Sequence, residues 1–295
     1  MKRNIIKPIN SDLILVALDL TALSEVVVSH ASKLAALFNK KVHLINIFEK
    51  GGKSGGEFHS IEERTEELER LSKKYSKIDE VEIGHSIIEG SIYETIAEVA
   101  SNMNAALIIM GTHGVKGLQK ISGSKALKVI TSADRPFVVI DKNAKSCDNY
   151  QNILLPIDYA FESKQKIAWA LELNKRFNSV CHLLVKHEKG ELDQAVKNNV
   201  MYVERELNLV DANFKIHHVD SDANFTEETI QYSLKNKIDL ILLMVSLDTS
   251  FTVWLSGGPY EQKIIANGEG FPVMVLNSFD PMLITGGATG ILGSH

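Results

Sequence analysis

Residues 106–131 have the types and spacing that bind a phosphate group. The apolar run Ala106–Met110 is typical of a strand buried on both faces, and the loop 111–123 that follows it contains four glycines. Because glycine has no Cβ, main-chain N–H groups in such a loop can approach an anion closely. Ser124 then opens Lys125–Thr131, which has helical spacing, and a helix N-terminus offers unpaired N–H groups. These features together predict a phosphate-binding loop.

Three side chains near this loop could take part in chemistry. Asp19 follows the apolar run Leu13–Leu18, and a carboxylate at the carboxyl end of a strand lies at the edge where ligands bind and can accept hydrogen bonds from them. The alternative for Asp19 is a helix cap. His113 has no carboxylate or nucleophile beside it in the sequence, so we interpret it as a packing or phosphate-neighbouring residue. Lys125 could supply charge to a polyphosphate or belong to a solvated face.

Composition limits the class of protein and its partners. The chain has 295 residues with 44% hydrophobic content, which is enough for two core-forming domains. Lys and Arg number 32 against 37 Asp and Glu, and they are scattered, so we expect no nucleic-acid partner. The two cysteines are too few for a disulfide framework and fit a reducing compartment. No apolar run reaches the ~18 residues that span a bilayer, so we expect a cytoplasmic protein with no membrane association.

Strand-like and helix-like segments alternate along the chain, and the same order occurs twice. Local similarity supports a duplication: VALDLT at 16–21 resembles LPIDYA at 155–160, and LIIM at 107–110 resembles ILLM at 241–244. The order predicts parallel sheets with helices on both faces and ligands beyond the carboxyl ends of the strands. We predict one domain over 1–146, a second over 147–280 and a tail over 281–295.

The repeat predicts individual elements in each half. The predicted strands are Leu13–Leu18, Val42–Phe48, Val81–Ile88, Ala106–Met110, Phe137–Ile140, Ile153–Ile157, Val180–Lys186, Phe214–Val219, Leu240–Val245 and Val273–Leu276. The predicted helices are Ala22–Phe38, Ile61–Tyr75, Ile92–Ser101, Lys125–Thr131, Ser163–Phe177, Leu192–Leu209, Thr226–Asn236 and Tyr260–Ala266.

The chain resembles the universal stress protein family in its tandem two-domain form. The shared marks are the strand ending VALD with Thr21 after it, the motif GTHG at 111–114, the Gly123-Ser124 helix start and the motif PFVV at 136–139. The resemblance implies an α/β fold of two Rossmann-like domains, of the flavodoxin-like or adenine nucleotide alpha hydrolase-like kind. Each domain would hold a five-stranded parallel sheet with helices on both faces.

The resemblance also implies a nucleotide site. Family members that bind ATP carry Gly, two residues, Gly, nine residues, then Gly-Ser or Gly-Thr; here eight residues separate Gly114 from Gly123. The implied ligand is an adenine nucleotide, ATP, with ADP, AMP and a magnesium ion left open. The implied binding residues are Ala17, Asp19, Ile47, Met110, Gly111, Thr112, His113, Gly114, Gly117, Gly123, Ser124, Lys125 and Ala126.

The second half lacks the glycines of this loop. After its fourth strand the chain reads Val245-Ser246-Leu247-Asp248, and by the sequence pairing above an acid stands at the position of Gly114. An acid there would repel an anion. We therefore expect one nucleotide site in the first domain and a degenerate partner domain that supports or regulates it.

The expected function is an ATP-binding sensor or regulator of the stress response. Nucleotide contacts would order the glycine loop and change self-association or partner choice. The family resemblance implies that the fifth strands, Phe137–Ile140 and Val273–Leu276, pair across the domains or with a protein partner. Two alternatives stay open. One is a slow ATP hydrolase, for which the sequence offers only Asp19 and His113, and the other is a nucleotide-free interaction scaffold, which the short loop favours.

Overall fold

The computed structural model describes residues 11–48, 60–112, 129–131, 133, 135–144, 149–245 and 260–277. The strands are β1 Leu13–Leu18, β2 Lys41–Phe48, β3 Ile83–Glu89, β4 Leu107–Thr112, β5 Phe137–Asp141, β6 Asn152–Ile157, β7 Val180–Lys186, β8 Phe214–Val219, β9 Leu240–Val245 and β10 Val273–Asn277. The α-helices with described bounds are α1 Leu23–Phe38, α2 Ile61–Asp79, α3 Ile92–Asn102, α4 Ile167–Phe177, α5 Glu191–Asn208, α6 Phe225–Lys235 and α7 Tyr260–Ile265, and residues 129–131 are also helical.

The ten strands form one sheet in the order β3-β2-β1-β4-β5-β10-β9-β6-β7-β8. Within each half the neighbouring strands run parallel in the order third, second, first, fourth, fifth, which is the Rossmann order. The fifth strands of the two halves pair antiparallel, with Val138 opposite Met274. The predicted α/β class is therefore confirmed, and the fifth strands join the halves of one chain.

Helices cover both faces of the sheet, which explains why the central strands are apolar along their whole length. Leu15 and Ile108 are fully buried on one face, against Ile96 of α3. Val16 and Ile109 are fully buried on the other face, in the same cluster as Val28 of α1. A strand buried on both sides cannot show the apolar and polar alternation of a half-exposed strand, so its sequence reads as a continuous hydrophobic run.

Strand register corrects the pairing of the two halves in the fourth strand. Ile14 lies opposite Leu107, and the equivalent Ile153 lies opposite Leu240. The match of 107–110 with 241–244 is therefore wrong by one residue, and the correct partner segment is 240–243. Continued along the sequence, this offset pairs Gly111 with Met244 and places Leu247, not Asp248, at the position of Gly114. The argument from an acid at that position fails.

Two other predicted bounds differ from the structure. β4 continues through Gly111 and Thr112, which pair with Ile140 and Asp141 of β5, so the chain turns later than the motif predicts. The predicted helix Ser163–Phe177 is divided into a 3-10 turn over Phe161–Lys164 and helix α4. The remaining described elements agree with their predictions to within a few residues. The boundary predicted near 146 and the tail 281–295 lie outside the described residues.

Candidate functional site

The candidate site lies where the carboxyl ends of β1 and β4 meet. From β1 the chain continues to β2 on one side, whereas β4 lies on the other side, so the direction of strand addition reverses between these two neighbours. The chain connections that follow two such strands run in opposite directions, and a crevice opens between them beyond the strand ends. Ala17 and Met110, which are paired across β1 and β4, mark its floor.

Asp19 is the first acidic side chain beyond β1. Its Oδ1 accepts hydrogen bonds from the Thr21 backbone N–H at 3.2 Å and from the Thr21 hydroxyl at 2.8 Å. The intervening Leu20 has φ of 56°, so the chain turns sharply here. The N-cap residue of α1 is Ala22, which makes no side-chain cap. Asp19 is therefore held in an Asx turn and is not the N-cap of α1.

Half-buried apolar side chains continue this floor along the carboxyl ends of β2 and β3. Ala17, Ile47 and Ile88 pack on the outer margin of the core cluster that covers one sheet face, and Ile92 of α3 joins them. Ile47 and Ile88 are paired neighbours in the sheet. These side chains offer a partly open apolar surface beside the Asp19 turn, which is the kind of surface that a planar aromatic ligand covers.

Residues 110–112 form the end of β4 beside the crevice. Met110 and Thr112 are 0% and 1% exposed, so neither side chain is open to a ligand. A Cβ on Gly111 would lie 2.6 Å from Leu23 Cδ2 and 3.1 Å from Val27 Cγ2. Gly111 thus allows α1 to pack closely on β4, a packing role that the glycine motif alone does not reveal.

Sequence reasoning missed a buried polar chain behind the strand ends. Arg64 of α2, 6% exposed, donates through Nη1 to Asn46 Oδ1 at 2.7 Å. Asn46 Nδ2 in turn donates to the Leu18 carbonyl at 2.9 Å. This chain fixes the last carbonyl of β1 directly before Asp19. The sequence does contain a sign of this buried arginine, because Arg64 lies on the same apolar helical stripe as Leu68 and yet is charged.

The other residues predicted for the site lie outside the described residues. They are His113, Gly114, Gly117, Gly123, Ser124, Lys125 and Ala126. The structure therefore brings together Ala17, Asp19, Ile47 and the 110–112 main chain at one edge of the sheet, and the roles of the glycine loop stay predictions.

The second half has a small cavity at the equivalent edge. It measures about 60 Å³ and lies beyond the carboxyl ends of β6 and β9. Asp158, the counterpart of Asp19, accepts at Oδ1 from the Ala160 N–H at 3.0 Å, so the Asx turn is repeated. Lys166 and Glu261 also line this cavity.

The described residues contain neither a membrane-spanning helix nor a metal-binding cluster. None of the helices described is long and apolar enough to cross a bilayer. No group of three or more His, Cys, Asp or Glu side chains in the described parts of the chain could hold a metal ion.

Comparison with known proteins identifies the family. The sequence profile of the universal stress protein family matches residues 11–141. Universal stress protein A homolog 1 of Coxiella burnetii is 30% identical over 127 residues, which are 40% of this chain and 87% of that protein. Universal stress protein MJ0531 of Methanocaldococcus jannaschii is 34% identical over 125 residues, 39% of this chain and 74% of that protein.

The fold of the whole chain also has a solved counterpart. The crystal structure of a universal stress protein from Archaeoglobus fulgidus aligns with a TM-score of 0.69 over 91% of this chain and 99% of that one. At 14% sequence identity, this structural similarity is evidence for the fold alone. The family assignment depends on the profile and the two relatives. The chain belongs to the universal stress protein family.

Proposed function

We propose that the first half binds an adenine nucleotide, ATP, at the carboxyl ends of β1, β2 and β4, and that binding regulates the association of the protein. The observation that carries this proposal is the partly open apolar floor of Ala17, Ile47 and Ile88 beside the oriented carboxylate of Asp19. A nucleoside presents the matching chemistry, because its base is flat and apolar on both faces while its ribose carries hydroxyl donors.

Each part of the site has a separate task in this proposal. The apolar floor takes the adenine ring, and Asp19, held in place by Thr21, accepts hydrogen bonds from the ribose. The loop 111–123 and the helix start at Ser124 take the phosphates through main-chain N–H groups. The Arg64–Asn46 pair keeps the end of β1 rigid, so that Asp19 does not have to be ordered when the ligand binds.

Regulation follows if binding changes the loop that holds the phosphates. A nucleotide shifts a conformational equilibrium only by its differential affinity for the two states, and a loop that contacts phosphate supplies that difference. ATP with its longer phosphate chain would then favour a different surface from AMP. A slow ATP hydrolase remains the second candidate, because Asp19 lies at the same edge as the proposed phosphate loop.

Titration calorimetry with ATP tests the binding site. We expect Asp19→Asn to weaken ATP binding about tenfold, since roughly 1.4 kcal/mol accompanies the loss of a charge-assisted hydrogen bond. Asp158→Asn is the matched control, because it alters the same Asx turn in the second half and should leave the affinity unchanged. The proposal fails if the unaltered protein binds no ATP at about 1 mM, or if both variants weaken binding equally.

Two further measurements separate sensor from hydrolase. Gly114→Asp should abolish ATP binding while the circular dichroism spectrum is unchanged. Phosphate release is then followed with and without magnesium. A sensor shows turnover near the buffer background together with an ATP-dependent change in mass by light scattering. If the unaltered protein releases phosphate from ATP and His113→Ala does not, the hydrolase is favoured over the sensor.

A further inference from the structure

The second half opens a cavity between two strands that are tightly paired in the first half. The described β1–β4 ladder runs from Ile14 to Ala17, whereas the β6–β9 ladder contains only the pairs of Ile153 and Leu154. The counterpart of Ala17 is Pro156, which has no N–H to donate. β6 and β9 therefore separate before their carboxyl ends, and the separation leaves space directly beyond them.

A second difference between the halves concerns the helix that covers this edge of the sheet. Met244 occupies the position of Gly111, where the first half needs the absence of a Cβ for α1 to pack. The chain after β6 forms a 3-10 turn, and α4 begins only at Ile167. The resulting cavity has Pro156 and Met244 on its apolar side and Asp158, Lys166, Tyr260 and Glu261 on its polar side.

Lys166 is the unusual member of this lining. Its counterpart in the first half, eight residues after the strand-end Asp, is the core residue Val27. Lys166 is only 2% exposed, and none of the described residues forms a hydrogen bond or ion pair with its ammonium group. Burial lowers the pKa of Lys166 to about 8, although Asp158 and Glu261 act in the opposite direction. With a pKa of about 8, this amine is still mostly protonated at pH 7, and roughly a tenth of it is neutral.

The charges around the cavity limit the chemical class of a ligand. Asp158, Glu162 and Glu261 line the same cavity, so an anion would meet three carboxyl groups and one amine. A metal ion would meet the amine, and no metal cluster exists among the described residues. A small uncharged electrophile is repelled neither by the carboxyl groups nor by the amine. Roughly 10–15 Å³ of such space holds one water, so 60 Å³ is enough for a molecule of a few heavy atoms.

We propose that Lys166 is a covalent binding site that forms a reversible imine with a two- or three-carbon aldehyde or ketone. The Nζ lone pair attacks the carbonyl carbon, and proton transfer gives a carbinolamine. The C–O bond then breaks as the Glu261 carboxyl gives a proton to the leaving hydroxyl, so that water leaves and a protonated C=N bond forms. The nitrogen proton then returns to the Glu261 carboxylate, which leaves the neutral imine and restores the acid. Amine and carbonyl thus become imine and water, and hydrolysis reverses the reaction.

Glu261 suits the role of proton donor. Burial raises its pKa, and Asp158 raises it further, while Lys166 acts to lower it. A carboxyl group with a raised pKa holds its proton to a higher pH than an exposed glutamate does, which favours proton donation inside the cavity. Tyr260, the neighbouring residue in α7, is occupied by a hydrogen bond between its hydroxyl and Thr229 Oγ1 at 2.8 Å. Glu261 is thus the described acid of the cavity lining whose pKa is shifted in the direction that the step needs.

Reductive trapping on the full chain tests this inference. The protein is incubated with glycolaldehyde and cyanoborohydride at pH 7.5, and the adduct on each lysine is quantified by peptide mass spectrometry. Lys166 should be modified at least roughly tenfold faster than the exposed Lys263 of the same cavity-lining helix, because far more of its amine is neutral. In urea the two lysines should react at similar rates.

Two variants complete the test. Glu261→Gln should slow the labelling of Lys166 several-fold while the labelling of Lys263 is unchanged, whereas an equal rate would remove the proton-donor role. Lys166→Met should abolish the fast adduct and keep the circular dichroism spectrum. The proposal is overturned if native Lys166 reacts no faster than Lys263. It is also overturned if inorganic phosphate protects Lys166 completely, since the cavity would then be an anion site.

Discussion

At the scale of single residues, Lys166 shows how one buried charge can affect stability as well as chemistry. The unfolded chain would bind a proton on this lysine up to about pH 10.5, whereas the folded chain releases it near pH 8. Between these values the unfolded state holds more protons, so stability rises as the pH increases. Below pH 8 both states are protonated, and the folded state carries the full cost of the buried ammonium group.

Replacing this lysine should therefore stabilise the protein, and by more at low pH than at high pH. Lys166→Met is expected to raise the free energy of unfolding by up to about 3 kcal/mol at pH 7, a shift of 2.5 pKa units converted at about 1.36 kcal/mol each. The gain should fall below about 2 kcal/mol at pH 9.5. Urea unfolding at the two pH values measures it, with Lys263→Met as the exposed control. An equal gain at both values would show that Lys166 titrates normally.

At the scale of elements, the first half uses charge to join two helices. Glu25 of α1 accepts hydrogen bonds from Arg70 at 2.6 Å and from Lys74 and the Tyr75 hydroxyl at 2.8 Å, all on α2. Partial burial acts to raise the pKa of Glu25, but these hydrogen bonds together lower it to about 2. A lowered carboxyl pKa stabilises the folded state above pH 4.5, and this stabilisation is lost as the pH falls toward 2.

Glu25→Gln should remove this link between α1 and α2. We expect a loss of about 1 kcal/mol at pH 7, well below the full pKa conversion because about a third of the Glu25 side chain is exposed and solvent screens the pairs. Near pH 2.5 the variant and the original protein should have nearly equal stability. Thermal unfolding at both pH values gives the comparison. Glu172→Gln on α4, which removes a single exposed pair with Arg176, should change stability by only a few tenths of a kcal/mol.

Most elements could be predicted because their residue patterns are local. The bounds of β1 and β7 agree fully with the runs Leu13–Leu18 and Val180–Lys186, since both are apolar and end at polar residues. The divided helix after β6 could not be predicted. Residues of the turn line the same cavity as Met244, a residue on a distant strand that becomes a neighbour only in the folded chain. The one-residue error in pairing 107–110 has a similar origin, because an all-apolar strand resembles itself after a shift.

The candidate site could likewise be predicted only in part. Asp19 could be placed at the strand end from the sequence, because the carboxyl ends of parallel strands share one edge. Its Asx turn with Thr21, and the buried partner Arg64 behind it, depend on contacts between elements that spacing does not specify. The cavity at Lys166 was missed for the same reason, since a lysine in a predicted amphipathic helix is ordinarily exposed.

At the scale of the whole molecule, the halves are joined by more than the pairing of β5 and β10. Asn277 Nδ2 donates to the Ile130 carbonyl at 2.9 Å, and Asn143 Nδ2 donates to the Gly268 carbonyl at 2.8 Å. The buried side chains of Val138 and Met274 face each other on the same side of the sheet. Apolar core thus continues across the seam, and we expect the described halves to unfold together.

The position of the tryptophans makes this expectation testable. Trp169 and Trp254 both lie in the second half, so their fluorescence reports on that half, whereas far-ultraviolet circular dichroism reports on both. In the unaltered protein the two urea transitions should coincide. Met274→Asp buries a charge in the seam and should separate them, with a loss of several kcal/mol in at least one half. Met201→Asp, at a side chain 66% exposed, should leave the transitions together. Separate transitions in the unaltered protein would mean that each half folds alone, and that nucleotide bound to the first half could not stabilise the second.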